Sequence, residues 1–519
     1  MKNKNSKYLL ILASVMLLSS CGSSSSSSSI STPTATSSEP ASSVSSIAHY
    51  TIIFANYDGT ELQTYSLEEG TTPVFFGSNP TRPIEGDKCF VFSGWDKPIV
   101  PATADATYTA TYKESTIEAE SLNRLQFTYQ SSSTSYSVGK NSASTSDLST
   151  IIIPSSFDDG TNGSHPVTFI DSTGFNDSQW LKSITIPTSV TAIGDLAFNH
   201  CEELTSVSFG DGLETINNYA FYDCTSLSAI SLSASLKTIK LAPFYGCTSL
   251  AKIEVSEANT SFATDSRALF SKDSSHFYFY ANASGTSYSL PVGTTFVGLM
   301  AFERCDQLSE VVLPSSLFSI PAFAYCTGLT KISVDASNTF LTSDSRALYS
   351  KDKTTLYAYA ENSGDSFEVP STVTAIEGDV FRGAVALKSI TLPEGLLTIG
   401  DYAFGECSSL TEVHLPSTLT RMGNYLFMFC TDLKTVNIPS SITAISFGAF
   451  LDCHALTSIV LPASITAIEP LAFCDCFYLK SLTYEGTLAS WAKITLGERW
   501  KDSAALKVAH CSDGDVTLA

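Results

Sequence analysis

Apolar residues between 175 and 484 recur with one long period. Phenylalanine stands at 175, 198, 221, 244, 302, 323, 381, 404, 427, 450 and 473; seven of the ten intervals are 23 residues, two are 58 and one is 21. Leucine follows each of these rings six positions later, from Leu181 to Leu479. Further apolar residues sit nine and eleven beyond the ring, as in Ile184 and Ile186, Val413 and Leu415, and Ile459 and Leu461. That period-two spacing predicts one short strand per repeat, and the proline that often follows (Pro187, Pro314, Pro393, Pro416, Pro439, Pro462) has no N–H and ends the ladder. A last pair, Val190 and Ile193 or Ile465 and Ile468, completes an inward set of roughly seven positions per 23 residues. Such a set describes one coil of a stacked array, and a single coil buries too little apolar surface to offset the entropy of ordering its own backbone.

The fold class expected is a β-rich solenoid with one short strand per coil, preceded by a small β domain. Residues 49–114 read differently from the repeats. "YTIIFANYDGTELQTYSL" alternates apolar and polar positions around Asp58-Gly59, a short-loop hairpin signal, and Trp95 and "YTATY" follow. Upstream, Lys2, Lys4 and Lys7 precede an apolar run from Tyr8 to Leu18, which reads as an export signal over 1–20, too short to span a bilayer. The segment 21–48 is almost all Ser, Thr, Ala and Pro and reads as a flexible linker.

Both 58-residue intervals contain excursions, 256–290 and 335–369, which are copies offset by 79: "TDSRALFSKDSSHFYFYA" against "SDSRALYSKDKTTLYAYA". Apolar residues flank Lys-Asp in each, so a hairpin is expected, projecting from the coils or lying against them. Tyr278, Tyr280, Tyr357 and Tyr359 hold corresponding places there. Either these rings pack the hairpin onto the array or they form an exposed aromatic patch for a protein or glycan, which makes them the candidate ligand-binding residues. Asp265 with Arg267 and Asp344 with Arg346 are expected to make local turn contacts. The outward strand positions, such as Ser183 and Thr185 or Glu412 and His414, predict a polar, hydroxyl-rich sheet face suited to a large partner.

Nine of the thirteen cysteines (Cys201, Cys224, Cys247, Cys305, Cys326, Cys407, Cys430, Cys453 and Cys476) share one slot, three residues past the phenylalanine. Stacked coils bring adjacent slots within disulfide range, but nine is odd and Ser178 and Ala384 fill the same slot. Buried free thiols acting as small apolar groups are therefore expected. The net charge of −22 disfavours nucleic acid as a partner. The seven histidines form no His-Glu-x-x-His, no nucleophile-elbow or phosphate-loop motif occurs, and Cys474-Asp475-Cys476 is too closely spaced for zinc. No catalytic residue, metal or cofactor is expected, and the chain is not read as an enzyme.

Three resemblances extend this reading. "LKSITIPTSVTAIGDLAFNHC" and its relatives resemble the BspA-type leucine-rich repeat, which implies a leucine-rich-repeat solenoid exposed on a cell surface; on that pattern 119–174 are entering coils, 175–484 the solenoid and 485–519 a C-terminal cap. Residues 49–114 resemble the Listeria–Bacteroides (internalin B-repeat-like) module through "NYDGTELQT" and "FSGWDKPIVPATADATYTATY", which implies a β-grasp-like spacer. Leu18-Ser19-Ser20-Cys21 is similar to a bacterial lipobox, which implies diacylation of Cys21 and tethering to the outer face of the cell membrane. The resulting expectation is a lipid-anchored, monomeric bacterial surface protein whose solenoid binds an extracellular protein or glycan. The alternative is a structural or envelope-associated surface protein without a soluble ligand.

Overall fold

The computed structural model describes residues 48–77, 79–144 and 148–518. The signal, most of the linker and Cys21 lie outside the described residues. The N-terminal module is one four-stranded sheet in the order β2-β1-β4-β3, built from β1 (His49–Ala55), β2 (Glu61–Glu68), β3 (Lys88–Trp95) and β4 (Ala106–Thr116). Gly59 turns the β1–β2 hairpin at φ +83°, with its N–H donating to Asn56 O at 3.0 Å. Phe54 lies 4.7 Å from Trp95, 5.2 Å from Tyr108 and 5.4 Å from Phe75, centroid to centroid, which gives the small sheet its core. Among the described residues of this module there is no helix, and residues 69–77 and 79–87 between β2 and β3 are irregular apart from a bridge at Glu85.

Beyond β4 the chain is a β-solenoid of about 15 turns. Helix α1 (Ile117–Arg124), capped by the Thr116 hydroxyl accepting from Ala119 N–H, begins it, and its Arg124 guanidinium lies 4.0 Å from the Trp180 ring centre. The repeat spacing becomes strand register. In one ladder Ile184 pairs with Val207 and Ile390 with Val413; in a second Ile170, Ile193, Ile216 and Ile239 align in parallel, so identical positions of successive repeats lie on one another. The alternation works as the pattern requires: Ile184, Ile193, Phe198 and Leu204 are essentially inaccessible, while Ser206 and Ser208 are exposed. At the C-terminal end a helix, α2 (Leu488–Trp491), precedes a strand, Val508–Cys511, that pairs with Ser481–Tyr484 and then turns back on Gly514–Thr517. That hairpin occupies the edge of the strand ladder.

The phenylalanines form a stacked spine. Phe175, Phe198, Phe221 and Phe244 follow one another at 5.2, 4.9 and 5.3 Å with ring planes within 9° of parallel. Phe381, Phe404, Phe427, Phe450 and Phe473 stack likewise at 5.1 to 5.5 Å, with ring planes within 19° of parallel. Around each ring the turn carries a third set of inter-coil bonds. The N–H groups of Leu196, Phe198 and His200 donate to the carbonyls of Asn218, Ala220 and Tyr222 in the next coil at 3.0, 2.7 and 2.8 Å. Aiming alternate N–H groups this way places the residues two before and two after the ring in the left-handed region: Leu196 and His200 at +54°, Tyr219 and Asp223 at +53°. Each such non-glycine residue costs about 1–2 kcal/mol, offset by the bonds to the neighbouring coil.

All nine repeat cysteines are buried and free. They do more than fill a small volume, because the thiols hydrogen-bond. Cys201 Sγ donates to Phe175 O at 3.1 Å, Cys224 to Phe198 O at 3.2 Å and Cys430 to Phe404 O at 3.0 Å, each to the carbonyl 26 residues earlier. Phe198 O also accepts the Cys201 N–H at 3.1 Å, so both lone pairs of a buried carbonyl are used. Burial pushes the Cys201, Cys224 and Cys430 thiols up, away from thiolate chemistry.

The excursions are part of the wall. In the first, Phe262–Thr264, Ala268–Ser271 and His276–Tyr280 form an antiparallel sheet whose last strand continues in parallel onto Phe296–Val297; in the second, Leu341–Ser343, Ala347–Ser350 and Thr355–Tyr359 do the same onto Ala375–Ile376. The expected hairpin around Lys-Asp is present, yet it neither projects from the coils nor lies on their outside. Its strands alternate between two interiors. Leu269 and Phe279 join the core that begins at Leu125, whereas Ala268, Phe270, Phe277 and Tyr280 join a second core. Likewise Leu348 and Ala358 belong to that second core, and Ala347, Tyr349, Leu356 and Tyr359 to the third. Each hairpin is thus a septum between buried cores.

Candidate ligand-binding surface

The outward side of the strand ladder is polar, as its alternation dictates. Neighbouring coils exchange side-chain contacts across it: Ser183 Oγ donates to Thr150 Oγ1 at 2.9 Å, Ser231 Oγ to Glu254 Oε2 at 2.5 Å, and Lys331 Nζ to Glu310 Oε1 at 2.6 Å. Where this ladder meets the first septum an open cleft of about 800 Å³ is lined by Ser231, Lys252, Glu254, Glu257, Thr264 and Asp265, among others. A smaller one, about 380 Å³, lies beside Phe340, Ser350, Lys351 and Asp352 of the second excursion.

The four tyrosines separate into two pairs. Tyr280 and Tyr359 are each 1% exposed, and their rings pack on Phe302 at 5.9 Å and Phe381 at 5.0 Å. Their hydroxyls accept from Arg267 Nη2 at 2.8 Å and Arg346 Nη2 at 3.2 Å. They have no surface to offer a ligand, and packing is their role. Tyr278 and Tyr357 are only half-buried, set edge-on against Phe262 at 5.3 Å and stacked with Phe340 at 6.5 Å. The turn contacts of Asp265 and Asp344 are present, each Oδ1 accepting two backbone N–H groups, those of Arg267 and Ala268 or of Arg346 and Ala347. The arginines go further and donate to Ser287 O at 2.5 Å and Ser366 O at 2.6 Å in the following coil.

Between the two septa the surface carries apolar side chains that the repeat pattern alone does not suggest. Val292 is 90% exposed and Phe318 59%, and Phe296, Leu299 and Ile320 are each more than 40% exposed. Phe318 N–H donates to Thr295 O at 3.3 Å and Gly293 N–H to Ser316 Oγ at 3.2 Å, which places the two coils side by side. For Ile320 the cause is the 21-residue interval. Pro314 precedes Phe323 by two residues fewer than Pro439 precedes Phe450, so Ile320, whose counterpart Ile445 is fully buried, turns outward. Residues 288–302 and 311–329 contain no charged side chain, in a chain of net charge −22. The short interval was the available signal.

His200, His454 and His510 each face one aspartate (Asp223 at 3.7 Å, Asp452 at 3.2 Å, Asp515 at 2.9 Å), and among the described residues no group of three His, Cys, Asp or Glu could hold a metal ion. No described helix is long and apolar enough to cross a membrane.

The BspA type Leucine rich repeat region, in six copies, matches residues 168–272, 272–355 and 352–480. The chain belongs to the BspA-type leucine-rich repeat family. As a family of surface repeat proteins, BspA-type chains are typically non-enzymatic. No curated protein matches this chain. Among solved structures, a leucine-rich repeat protein from Eubacterium ventriosum is 20% identical, with 76% of this chain and 97% of that one covered and a TM-score of 0.38. A leucine rich cell surface protein from Faecalibacterium prausnitzii is 20% identical over 72% and 96% of the two chains, TM-score 0.39. The pneumococcal vaccine antigen PcpA is 19% identical over 74% and 96%, TM-score 0.36.

Proposed function

We propose that this BspA-type chain is a lipid-anchored bacterial surface protein whose solenoid binds an extracellular protein. The observation that carries the reading is the exposed apolar surface of Val292, Phe296, Phe318 and Ile320, which stand on two segments without a charged side chain. Exposed apolar side chains gathered on neighbouring coils mark protein contact more than they mark sugar binding, which relies on polar groups beside an aromatic face. Tyr278 and Tyr357, half-buried on the adjacent septa, are the remaining candidates for the rim of that contact. Lipidation of Cys21 would hold the array outside the membrane, two acyl chains sufficing for stable attachment.

The test uses residues 47–519 on an array of extracellular proteins and glycans, with Phe318→Ser/Ile320→Ser in parallel. The reading expects saturable binding to a protein, weakened at least tenfold by the double variant while its melting temperature holds. Binding that is confined to glycans, or unaffected by the substitutions, refutes it; no saturable binding at all leaves the structural, envelope-associated role. In the bacterium, Cys21→Ala is expected to shift the protein from the membrane fraction to the medium.

A further inference from the structure

We propose that the solenoid is three rigid blocks joined at two hinges, and that side-chain latches reaching across each septum hold the hinges closed. Three buried cores exist instead of one, and their borders fall at the excursions. The strand ladder breaks at the same places: Lys252–Val255 and Ser287–Ser289 belong to different sheets, as do Lys331–Val334 and Ser366–Glu368. Across each break the preceding strand meets the septum through the bond from Ile253 N–H to Ser266 O at 2.8 Å, or from Ile332 N–H to Ser345 O at 2.7 Å. The septum itself is moored to the following block by Arg267 or Arg346. Towards the block before it each excursion is also tied by Asn259 Nδ2, donating to Ser233 O and Leu236 O at 2.8 and 3.0 Å, or Asn338 Nδ2, donating to Pro314 O and Leu317 O at 2.9 and 2.8 Å. Its strands, however, pair in parallel only with the block after it, which places the joint on the preceding side.

At the turn edge the excursion coils are lean, running through Ala281-Asn282-Ala283 and Ala360-Glu361-Asn362. Long side chains from the coils on either side span them. At the first joint Arg304 Nη1 pairs with Asp223 Oδ1 at 3.2 Å and Tyr219 OH meets Met300 Sδ at 3.6 Å, both over 81 residues of sequence. The Arg304 guanidinium lies 5.4 Å from the Tyr245 ring of the first block and 5.7 Å from the Tyr325 ring of the second. At the second joint Tyr325 OH bonds Glu406, again 81 residues away, and Arg382 lies 5.2 Å from the Tyr325 ring and 4.7 Å from that of Tyr402 while pairing with Asp379 and Glu406 at 3.2 and 3.3 Å. Within a block the turn N–H bonds run on from coil to coil, as from Phe221 N–H to Pro243 O at 2.7 Å, even where the strand ladder lapses between Ser206–Ser208 and Ala229–Leu232. At the joints directional polar contacts replace interrupted ladders, and unlike packed apolar surface they open over a short displacement.

Pulling residues 47–519 from the two ends in an optical trap tests this. At about 3.4 Å per residue, the blocks bounded by 125, 255, 334 and 518 predict three lengthening steps of roughly 45, 27 and 62 nm after the small module has opened. Arg304→Ala is expected to raise the rate at which the first block separates by about tenfold and to leave the second joint alone; Arg382→Ala should do the reverse. Unfolding of the wild-type array in one step, or in single-coil steps of roughly 8 nm, would overturn the proposal without any variant. So would Arg304→Ala and Arg382→Ala proteins whose step sizes and forces match the wild type.

Discussion

Glu361 offers the sharpest energetic test. Its carboxyl is 3% exposed, and neither oxygen meets a donor in hydrogen-bonding geometry. Its counterpart 79 residues earlier is Asn282, which donates to Arg304 O at 2.9 Å and accepts from Cys305 Sγ at 3.5 Å; at the second excursion the cysteine is replaced by Ala384, which provides neither the thiol nor its bulk. Burial pushes the Glu361 carboxyl up to about 9, the nearby N–H groups of Tyr325 and Cys326 opposing and the carboxylates of Asp306 and Glu406 adding to the rise. The sign follows directly. Unfolded, this group loses its proton near 4.5, whereas folded it keeps it to about 9, so between those values the native state binds one more proton and stability falls as pH rises. At pH 7 the difference of about 2.5 units corresponds to about 3 kcal/mol. Glu361→Gln keeps the shape and is always neutral, so it should match the wild type near pH 4 and exceed it by about 3 kcal/mol at pH 7, a rise of several degrees in melting temperature. Parallel melts of the two proteins at pH 4.5, 6, 7.5 and 9 decide it, since every other titrating group cancels in the difference. A difference that stays constant with pH, or a glutamine protein that melts lower at pH 7.5, refutes the reasoning.

Gly212→Ala would put a Cβ 1.8 Å from Thr188 O in the preceding coil, and a loss of at least about 2 kcal/mol in urea unfolding is expected. Cys430→Ala removes one S–H···O contact and a small volume at once, for about 1–3 kcal/mol, and in the native wild type the repeat thiols should resist alkylation at pH 8 that goes to completion in urea. Phe404→Ala breaks the spine between neighbours at 5.1 and 5.4 Å, with an expected cost of about 3–5 kcal/mol by chemical denaturation.

The periodic part of the fold was legible because every coil asks the same residue type to meet its own copy. Phe198 under Phe221 and Ile193 under Ile216 are the spacing made physical. Features that depend on departures from the average coil were not. Tyr280 and Tyr359 share with Tyr278 and Tyr357 an aromatic motif in which alternation alone decides burial, and that alternation became visible only once the hairpin proved to separate two interiors. The left-handed residues carry only a faint glycine signal, Gly246, Gly383 and Gly448, since residues such as Leu196, Tyr219 and Tyr402 occupy most of these places. The thiol contacts hid behind the small-volume argument from Ser178 and Ala384, which is sound about size and silent about the carbonyl above. The outward turn of Ile320 was written in one 21-residue interval, whose consequence appears only when its coil is laid beside a 23-residue one.

The central claim is that 23 residues make one rung whose interior is closed by the rungs on either side. Excising residues 405–427, one whole period, joins Phe404 to Met428 in phase, whereas excising 405–416 shifts every later phenylalanine out of line. Thermal denaturation of the two shortened proteins compares them directly. The first should melt cooperatively within a few degrees of the full-length chain, and the second should lose the folded block that follows the cut. Equal damage from both excisions, or a benign half-period cut, would contradict the account.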